Sequence, residues 1–145
     1  MKTLEQWKKI NWWIQYSVQT VYELIEQDKV EDCAHLLKEC EKRAVKRGNY
    51  CLNDGGAMEI MTILFLKCQP SQARTVDRLF AEFFPRIHPA WYCHTTLWMT
   101  RLAMFKRLGW DATALLQQYE ARLLKGRFGQ KAKNKYLEAK TKCSQ

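Results

Sequence analysis

Apolar residues recur at helical spacing along almost the whole chain, and this pattern predicts an all-α protein. No stretch alternates cleanly between apolar and polar residues, as a half-buried strand would. Glycine and proline occur at a few well-separated points, where we expect them to end helices. We therefore expect about six helices that pair as three consecutive αα-hairpins, in either a repeat-like array or a plain bundle.

The first hairpin is predicted from two long amphipathic segments, over residues 4–27 and 30–47. Residues 10–22 of the first segment carry no charge, which is typical of a helix that is buried on more than one side. The second segment has a charged face opposite an apolar one, and Gly48 follows it as a C-terminal stop. The Asn, Asp and Gly residues that come next predict a loop.

The second hairpin is predicted over residues 57–68 and 72–84. The first of these segments is apolar and contains β-branched residues, so a buried strand is the alternative to a helix. Ser71 is suited to cap the second segment, and the sequence PRIHP is expected to end it.

The third hairpin is predicted over residues 89–108 and 112–125. Pro89 suits the first turn of a helix, and Gly109 is expected to end that helix. Asp111 is a suitable N-cap for the next one.

The turns inside the three proposed hairpins fall near Lys29, Pro70 and Gly109, at intervals close to 40 residues. The stretches QDKVEDCAHLLKECEKRA and RLGWDATALLQQYEARLL share an order of small and large apolar residues. Over roughly residues 10–125 the chain thus resembles tetratricopeptide-like helical repeats. That resemblance implies stacked helical hairpins, and helices of ordinary length in a plain bundle would give a similar spacing.

The chain length of 145 residues predicts a single helical domain, which we place at residues 1–126 and follow with a basic C-terminal segment at 127–145. Hydrophobic residues make up 47% of the chain and six residues are Trp, which indicates a packed core rather than a disordered chain.

The net charge of +9 is concentrated near the C-terminus. Residues 1–100 contribute only +1, whereas residues 101–145 hold eleven basic and three acidic residues. A localised excess of this kind predicts an anionic partner, such as nucleic acid, an acidic protein or an anionic membrane.

Fourteen basic residues are the candidate phosphate contacts. They lie at the end of the second helix, at the end of the fifth helix and along the C-terminal segment. They are Lys42, Arg43, Lys46, Arg47, Arg101, Lys106, Arg107, Lys125, Arg127, Lys131, Lys133, Lys135, Lys140 and Lys142. The clusters at the two helix ends also complement the negative ends of the helix dipoles, which is the structural alternative.

Apolar residues recur through the C-terminal segment at Phe128, Ala132, Tyr136 and Ala139, so the segment can form a basic helix. Such a helix can lie along a nucleic-acid backbone, with Phe128 and Tyr136 as candidates to stack on bases. Alternatively, its apolar stripe docks on the last hairpin, or the segment is only a solvated tail.

Cysteine and histidine occur together in two places, around Cys33, His35 and Cys40 and around His88, Cys93 and His94. Neither group has the paired spacing of a structural zinc site. Because no catalytic or phosphate-loop motif is present either, we expect no enzyme activity, no cofactor and no metal.

Charged residues in the opening sequence MKTLEQWKK argue against a signal peptide. The longest apolar run, AMEIMTILFL, is too short to span a bilayer. We therefore expect a cytoplasmic protein with reduced cysteines.

Two functional hypotheses follow. The first is a small non-enzymatic protein that binds DNA or RNA through its basic C-terminal residues. The alternative is an adaptor or inhibitor that binds an acidic partner protein through its helical hairpins, for which Trp12 is the best candidate for an exposed aromatic contact. The sequence predicts no oligomeric state.

Overall fold

The fold is described from a computed structural model, which describes the backbone of residues 4–47, 56–87, 95–125 and 130–143. Its side chains are described over residues 12–43, 56–83, 97–121, 134 and 136–141. Seven α-helices lie in these ranges: α1 (Leu4–Glu26), α2 (Cys33–Arg47), α3 (Ala57–Lys67), α4 (Ala73–Ile87), α5 (Thr95–Arg107), α6 (Thr113–Lys125) and α7 (Gln130–Cys143). Within the same ranges there is no strand, and the predicted all-α fold class is confirmed.

The predicted helix bounds hold to within three residues wherever the ends are described. The strand alternative for residues 57–68 is wrong, because α3 occupies residues 57–67. The fourth helix ends three residues later than expected, because α4 continues through Pro85 to Ile87, within the PRIHP sequence that was predicted to end it. Pro85 has no backbone N–H, so the last turn of α4 has one helical hydrogen bond fewer. The predicted loop at 48–55 and the predicted start of the fifth helix at residue 89 lie outside the described residues.

The chain divides into two compact units, Met1–Tyr92 and Cys93–Gln145. The first unit holds α1 to α4, and the second unit holds α5 to α7. This division differs from the predicted boundary at residue 126, since α7 belongs to the same unit as α5 and α6.

In the first unit, α1 packs most extensively on α3, and α2 packs on α4. A Cβ on Gly56, just before α3, would lie 3.4 Å from Trp13 Nε1, so α3 begins beside the first half of α1. Just after α3, Gln72 bonds the carbonyl of Ile25 near the end of α1. The two helices α1 and α3 therefore run parallel.

A spacing of 40 residues relates these two hairpins. Three-residue 3₁₀ turns at Val30–Asp32 and Pro70–Gln72 lead directly into α2 and α4, and each of these helices has 15 residues. Buried residues also match at this spacing: Val21 with Met61, Ile25 with Phe65, Cys33 with Ala73, Leu36 with Val76, and Cys40 with Phe80. These five positions are buried in both hairpins, whereas others differ: buried Leu37 corresponds to half-buried Asp77, and buried Gln72 corresponds to exposed Asp32.

One buried polar side chain joins the two hairpins. Gln72 is 2% exposed, and its Nε2 donates to the Ile25 carbonyl at 3.0 Å and to Asp28 Oδ1 at 2.9 Å. Its Oε1 accepts the backbone N–H of Gln69 at 2.9 Å. Because its donors and acceptor are satisfied, this glutamine fixes the turn after α3 against the turn after α1.

In the second unit the core is mainly aromatic and aliphatic. Its buried members are Leu97, Trp98, Leu102, Met104, Ala112, Leu115, Tyr119, Tyr136 and Ala139. None of the helices in the described part of either unit has the length and apolar character needed to cross a bilayer.

Candidate nucleic-acid interface

The basic helix α7 docks on α6 through its narrow apolar stripe. Tyr136 and Ala139, three residues apart on α7, are each 4% exposed. The ring of Tyr136 lies 6.0 Å from that of Tyr119 on α6, and Tyr119 in turn stacks on Trp98 of α5 at 4.0 Å and 15°. Aromatic packing therefore connects all three helices of the second unit, and the described part of α7 is not a solvated tail.

Glu120 fixes the orientation of α7 on α6. Its carboxylate accepts a hydrogen bond from the Tyr136 hydroxyl, and the same oxygen lies 3.7 Å from Lys140 Nζ. Burial raises the pKa of Tyr136, and the hydrogen bond to Glu120 adds to that rise. The hydroxyl therefore stays protonated at neutral pH and remains a donor, while Lys140 lies at the edge of the contact, where it is exposed to solvent.

An open groove of about 810 Å³ lies beside this contact, entirely within the second unit. Residues of the loop before α6, of α6 itself, of the end of α5 and of α7 line it: Lys106, Gly109, Trp110, Asp111, Ala112, Thr113, Leu116, Gln117, Glu120, Tyr136 and Lys140. Two of the predicted basic contacts, Lys106 and Lys140, thus border one groove although 34 positions separate them in the sequence.

The turn between α5 and α6 holds the groove wall in place. Gly109 has φ +69°, a conformation that glycine adopts without strain, and the N–H of Trp110 donates to the Phe105 carbonyl at 2.8 Å. Asp111 then caps α6, accepting the N–H of Thr113 at 3.0 Å and its hydroxyl at 2.6 Å. These bonds from Thr113 lower the pKa of Asp111, which is therefore ionised at neutral pH.

The basic cluster at the end of α5 contributes one residue, Lys106, to the groove. The guanidinium of Arg101 lies 5.6 Å from the centre of the Phe105 ring, and that centre lies 5.2 Å from the centre of the Trp110 ring in an edge-to-face arrangement. Lys106 lines the groove itself, and Arg107 is exposed. Of the predicted α5 cluster, the structure therefore places Lys106 in one groove with Lys140 of α7.

The stacking role predicted for Tyr136 needs correction. Its ring packs against Tyr119, with Trp98 and Lys140 also close, and only 4% of the residue is exposed. A base cannot stack on a ring that is covered in this way, so Tyr136 positions α7 instead. Phe128, the other predicted stacking residue, lies outside the described residues, as does Arg127.

Several predicted contacts belong to described helices, but their side chains lie outside the described part of the structure. They are Lys46, Arg47, Lys125, Lys131, Lys133, Lys135 and Lys142. For these residues the structure gives only a place on α2, α6 or α7.

In the first unit the predicted basic cluster at the end of α2 is only partly available for phosphate contacts. Lys42 is exposed. Arg43 is half-buried, because its guanidinium lies 4.3 Å from the centre of the Trp13 ring and its Nε lies 3.3 Å from Glu39 Oε1. Arg43 therefore packs against α1, which is a structural role rather than a free phosphate contact.

Cys33, Cys40 and Cys68 are buried free thiols. Burial raises the pKa of Cys33 and of Cys40 to about 12, so neither is a thiolate at neutral pH. His35 is exposed, whereas His88, Cys93 and His94 lie outside the described residues. Among the side chains that are described, no three His, Cys, Asp or Glu groups gather as a metal site would require.

Sequence reasoning missed three groove residues, Trp110, Gln117 and Glu120. Glu120 lies on the second helix of the third hairpin, where an isolated acid looks like an ordinary solvated residue. The only available signal was charge, because Glu120 is one of three acidic residues in the last 45 positions. Comparison of the chain with family models, with curated proteins and with solved structures finds no match.

Proposed function

We propose that this chain is a non-enzymatic nucleic-acid-binding protein whose second unit contacts the phosphates. The observation that carries the proposal is the shared groove of Lys106 and Lys140, which lies in a unit whose formal charge is +8. The first unit, though larger, has a formal charge of only +1. Lysine and arginine gathered in this way favour phosphate binding by releasing counterions.

The docked α7 supports the proposal, because it holds basic residues on an ordered element. A helix that is held by Tyr136, Ala139 and Glu120 loses less conformational freedom on binding than a flexible tail would. The 14 residues of α7 include five lysines: Lys131, Lys133, Lys135, Lys140 and Lys142. We expect contacts with little sequence preference, since such contacts address the backbone rather than the base edges.

The direct test is a salt series of binding to duplex DNA, single-stranded DNA and RNA. Deletion of α7 is unsuitable, because it would expose Tyr119 and Trp98 and destabilise the second unit. We instead replace Lys131, Lys133 and Lys135 with Gln. The slope of log affinity against log salt for a single strand should become shallower by about 2, and the affinity in 0.1 M salt should fall at least about tenfold.

The matched control replaces three exposed lysines of the first unit, Lys29, Lys38 and Lys67, with Gln. It removes the same charge and should leave the slope unchanged. A wild-type affinity that does not respond to salt, or an equal loss in both triple variants, would refute the proposal.

A second candidate function is the capture of a partner protein by the first unit. One observation favours it: Trp12 is 61% exposed and stacks on Tyr16, itself 46% exposed, at 5.4 Å and 8°. Exposed aromatic residues are common energetic centres of protein interfaces. An acidic partner would in addition be attracted by the basic second unit.

The two candidates separate in a pull-down with the wild-type protein and the Trp12→Ala/Tyr16→Ala variant. If the first unit captures a partner, wild type retains a partner protein that the variant loses. If nucleic-acid binding is the function, both proteins retain the same proteins and bind nucleic acid equally in the salt series.

A further inference from the structure

The groove of the second unit differs in charge from the surface around it. Its four ionisable side chains with a charge at neutral pH are Lys106, Lys140, Asp111 and Glu120, so the charges of its lining cancel. The whole unit nevertheless carries +8. A phosphate therefore gains little inside the groove and more from the basic residues around it.

The two acidic residues of the groove further disfavour a phosphate inside it relative to the basic surface around it. Asp111 is held ionised by its bonds from Thr113, and Glu120 already accepts the Tyr136 hydroxyl and lies beside Lys140. Both carboxylates would repel a phosphate that entered deeply. Lys106 and Lys140 can still reach a phosphate at the rim, since lysine side chains are long and flexible.

The groove offers an aromatic ring, hydrogen-bonding groups and enough volume for a planar heterocycle. Trp110 is half-buried, its ring packs edge-to-face with Phe105, and it lines the groove together with Ala112 and Leu116. Gln117 is exposed in the same groove and supplies both a donor and an acceptor for the edge of a base. The volume of about 810 Å³ lies within the range of small-ligand clefts, so the groove has room for a base and its sugar.

We propose that this groove receives an unpaired base of a polynucleotide strand, which stacks on Trp110 while its phosphates lie at the lysine rim. The inference rests on the proposed nucleic-acid-binding function and narrows it to single strands. A base within a duplex is paired and stacked, and cannot enter such a groove without leaving the helix. Because the proposed contacts are to the base and the phosphates and not to the sugar, single strands of DNA and of RNA are both ligands.

The test compares strands that differ only in their bases. We measure the binding of a single-stranded DNA, of an RNA with the same sequence, and of an abasic strand that keeps the phosphates and the length. The wild-type protein should bind the abasic strand about tenfold more weakly than either complete strand, because stacking of one base contributes roughly that factor. The slopes against salt should be equal for the complete and abasic DNA strands, since their phosphate contacts are the same.

Two variants test whether the contribution of the base to affinity comes from the groove. Trp110→Ala should bind complete strands about tenfold more weakly and the abasic strand unchanged, and Gln117→Ala should show the same pattern with a smaller loss. Trp12→Ala, which removes an exposed Trp of the first unit, is the matched control and should change neither affinity. Circular dichroism checks that each variant is folded.

Equal affinity of the wild-type protein for complete and abasic strands overturns the groove proposal and leaves phosphate binding intact. Absence of salt-dependent binding to every strand overturns the proposed function instead. If Trp110→Ala fails to fold, the abasic comparison on the wild-type protein and the Gln117→Ala variant still decide the matter.

Discussion

The two units of this protein are built from the same kind of helix and differ in what joins their helices. In the first unit two hairpins at a 40-residue spacing share some of their buried apolar positions, and a buried amide, Gln72, links their turns. In the second unit an aromatic cluster of Trp98, Tyr119 and Tyr136 joins three helices, and Glu120 secures the last one.

The two units also differ clearly in net charge. The first is close to neutral, whereas the second carries +8 on 53 residues. A strongly basic helix such as α7 has few apolar positions to bury, so a small number of aromatic contacts and one carboxylate must hold it. The difference indicates that the first unit is organised for packing and the second for presenting positive charge.

The largest expected effects come from truncating one core aromatic residue in each unit. Phe80→Ala and Tyr119→Ala each remove a ring that is about 1% exposed, and each should lower the free energy of unfolding by about 3–5 kcal/mol. Only Tyr119→Ala should abolish binding to nucleic acid, because it removes the surface on which α7 docks. Denaturant unfolding and a binding titration measure the two effects. Equal loss of binding in both variants would contradict the division of roles.

A smaller effect is expected where the hairpins of the first unit are linked. Gln72→Ala leaves the Gln69 amide without its partner, removes one of the two hydrogen bonds to the Ile25 carbonyl, and should cost about 1–3 kcal/mol of unfolding free energy. Gln118→Ala, at an exposed position of α6, is the control and should change stability by no more than about 0.5 kcal/mol. A neutral result for Gln72→Ala would show that the apolar contacts alone set the hairpin register.

In the second unit Tyr136→Phe removes one hydroxyl and keeps the ring packing. The lost hydrogen bond to Glu120 should cost about 1 kcal/mol, because the carboxylate is partly exposed and water replaces part of the interaction. Tyr16→Phe is the matched control on the surface of the first unit. Equal melting temperatures for wild type and Tyr136→Phe would show that Glu120 does not help to hold α7.

The smallest effect concerns the cap of α6 and depends on pH. Because the bonds from Thr113 lower the pKa of Asp111 below its unfolded value, the cap stabilises the folded state above about pH 4. That stabilisation is lost as the pH falls through the lower folded pKa. Asp111→Ala should therefore melt at a lower temperature than wild type at pH 7, and the gap should close in strong acid. A gap that stays constant down to pH 2 would assign the effect to something other than the carboxylate charge.

The helices could be predicted from the sequence because each has apolar residues at helical spacing and is bounded by residues that cap or end helices. The interval of 40 residues was visible in the turns near Lys29, Pro70 and Gly109, and it reappears in the starts of α2, α4 and α6 at Cys33, Ala73 and Thr113. Trp12 was also expected to be exposed, and it is exposed while the neighbouring Trp13 is buried. These features are local, so one chain suffices to show them.

The groove could not be predicted in the same way. Lys106, Glu120 and Lys140 lie on three different helices and Trp110 in the turn between two of them, and only packing brings them together. Tyr136 illustrates the limit most clearly. Its place on an apolar stripe was visible, but whether that stripe faces a base or a neighbouring helix depends on Tyr119, which lies 17 positions earlier.

The most direct test of the central claim is the salt dependence of single-strand binding by the Lys106→Gln/Lys140→Gln variant. If the second unit binds phosphates at the rim of its groove, the slope of log affinity against log salt should become shallower by about 1.4 relative to wild type. The Lys38→Gln/Lys67→Gln variant of the first unit should keep the wild-type slope. An unchanged slope in the Lys106→Gln/Lys140→Gln variant, or the same change in both variants, would contradict the account.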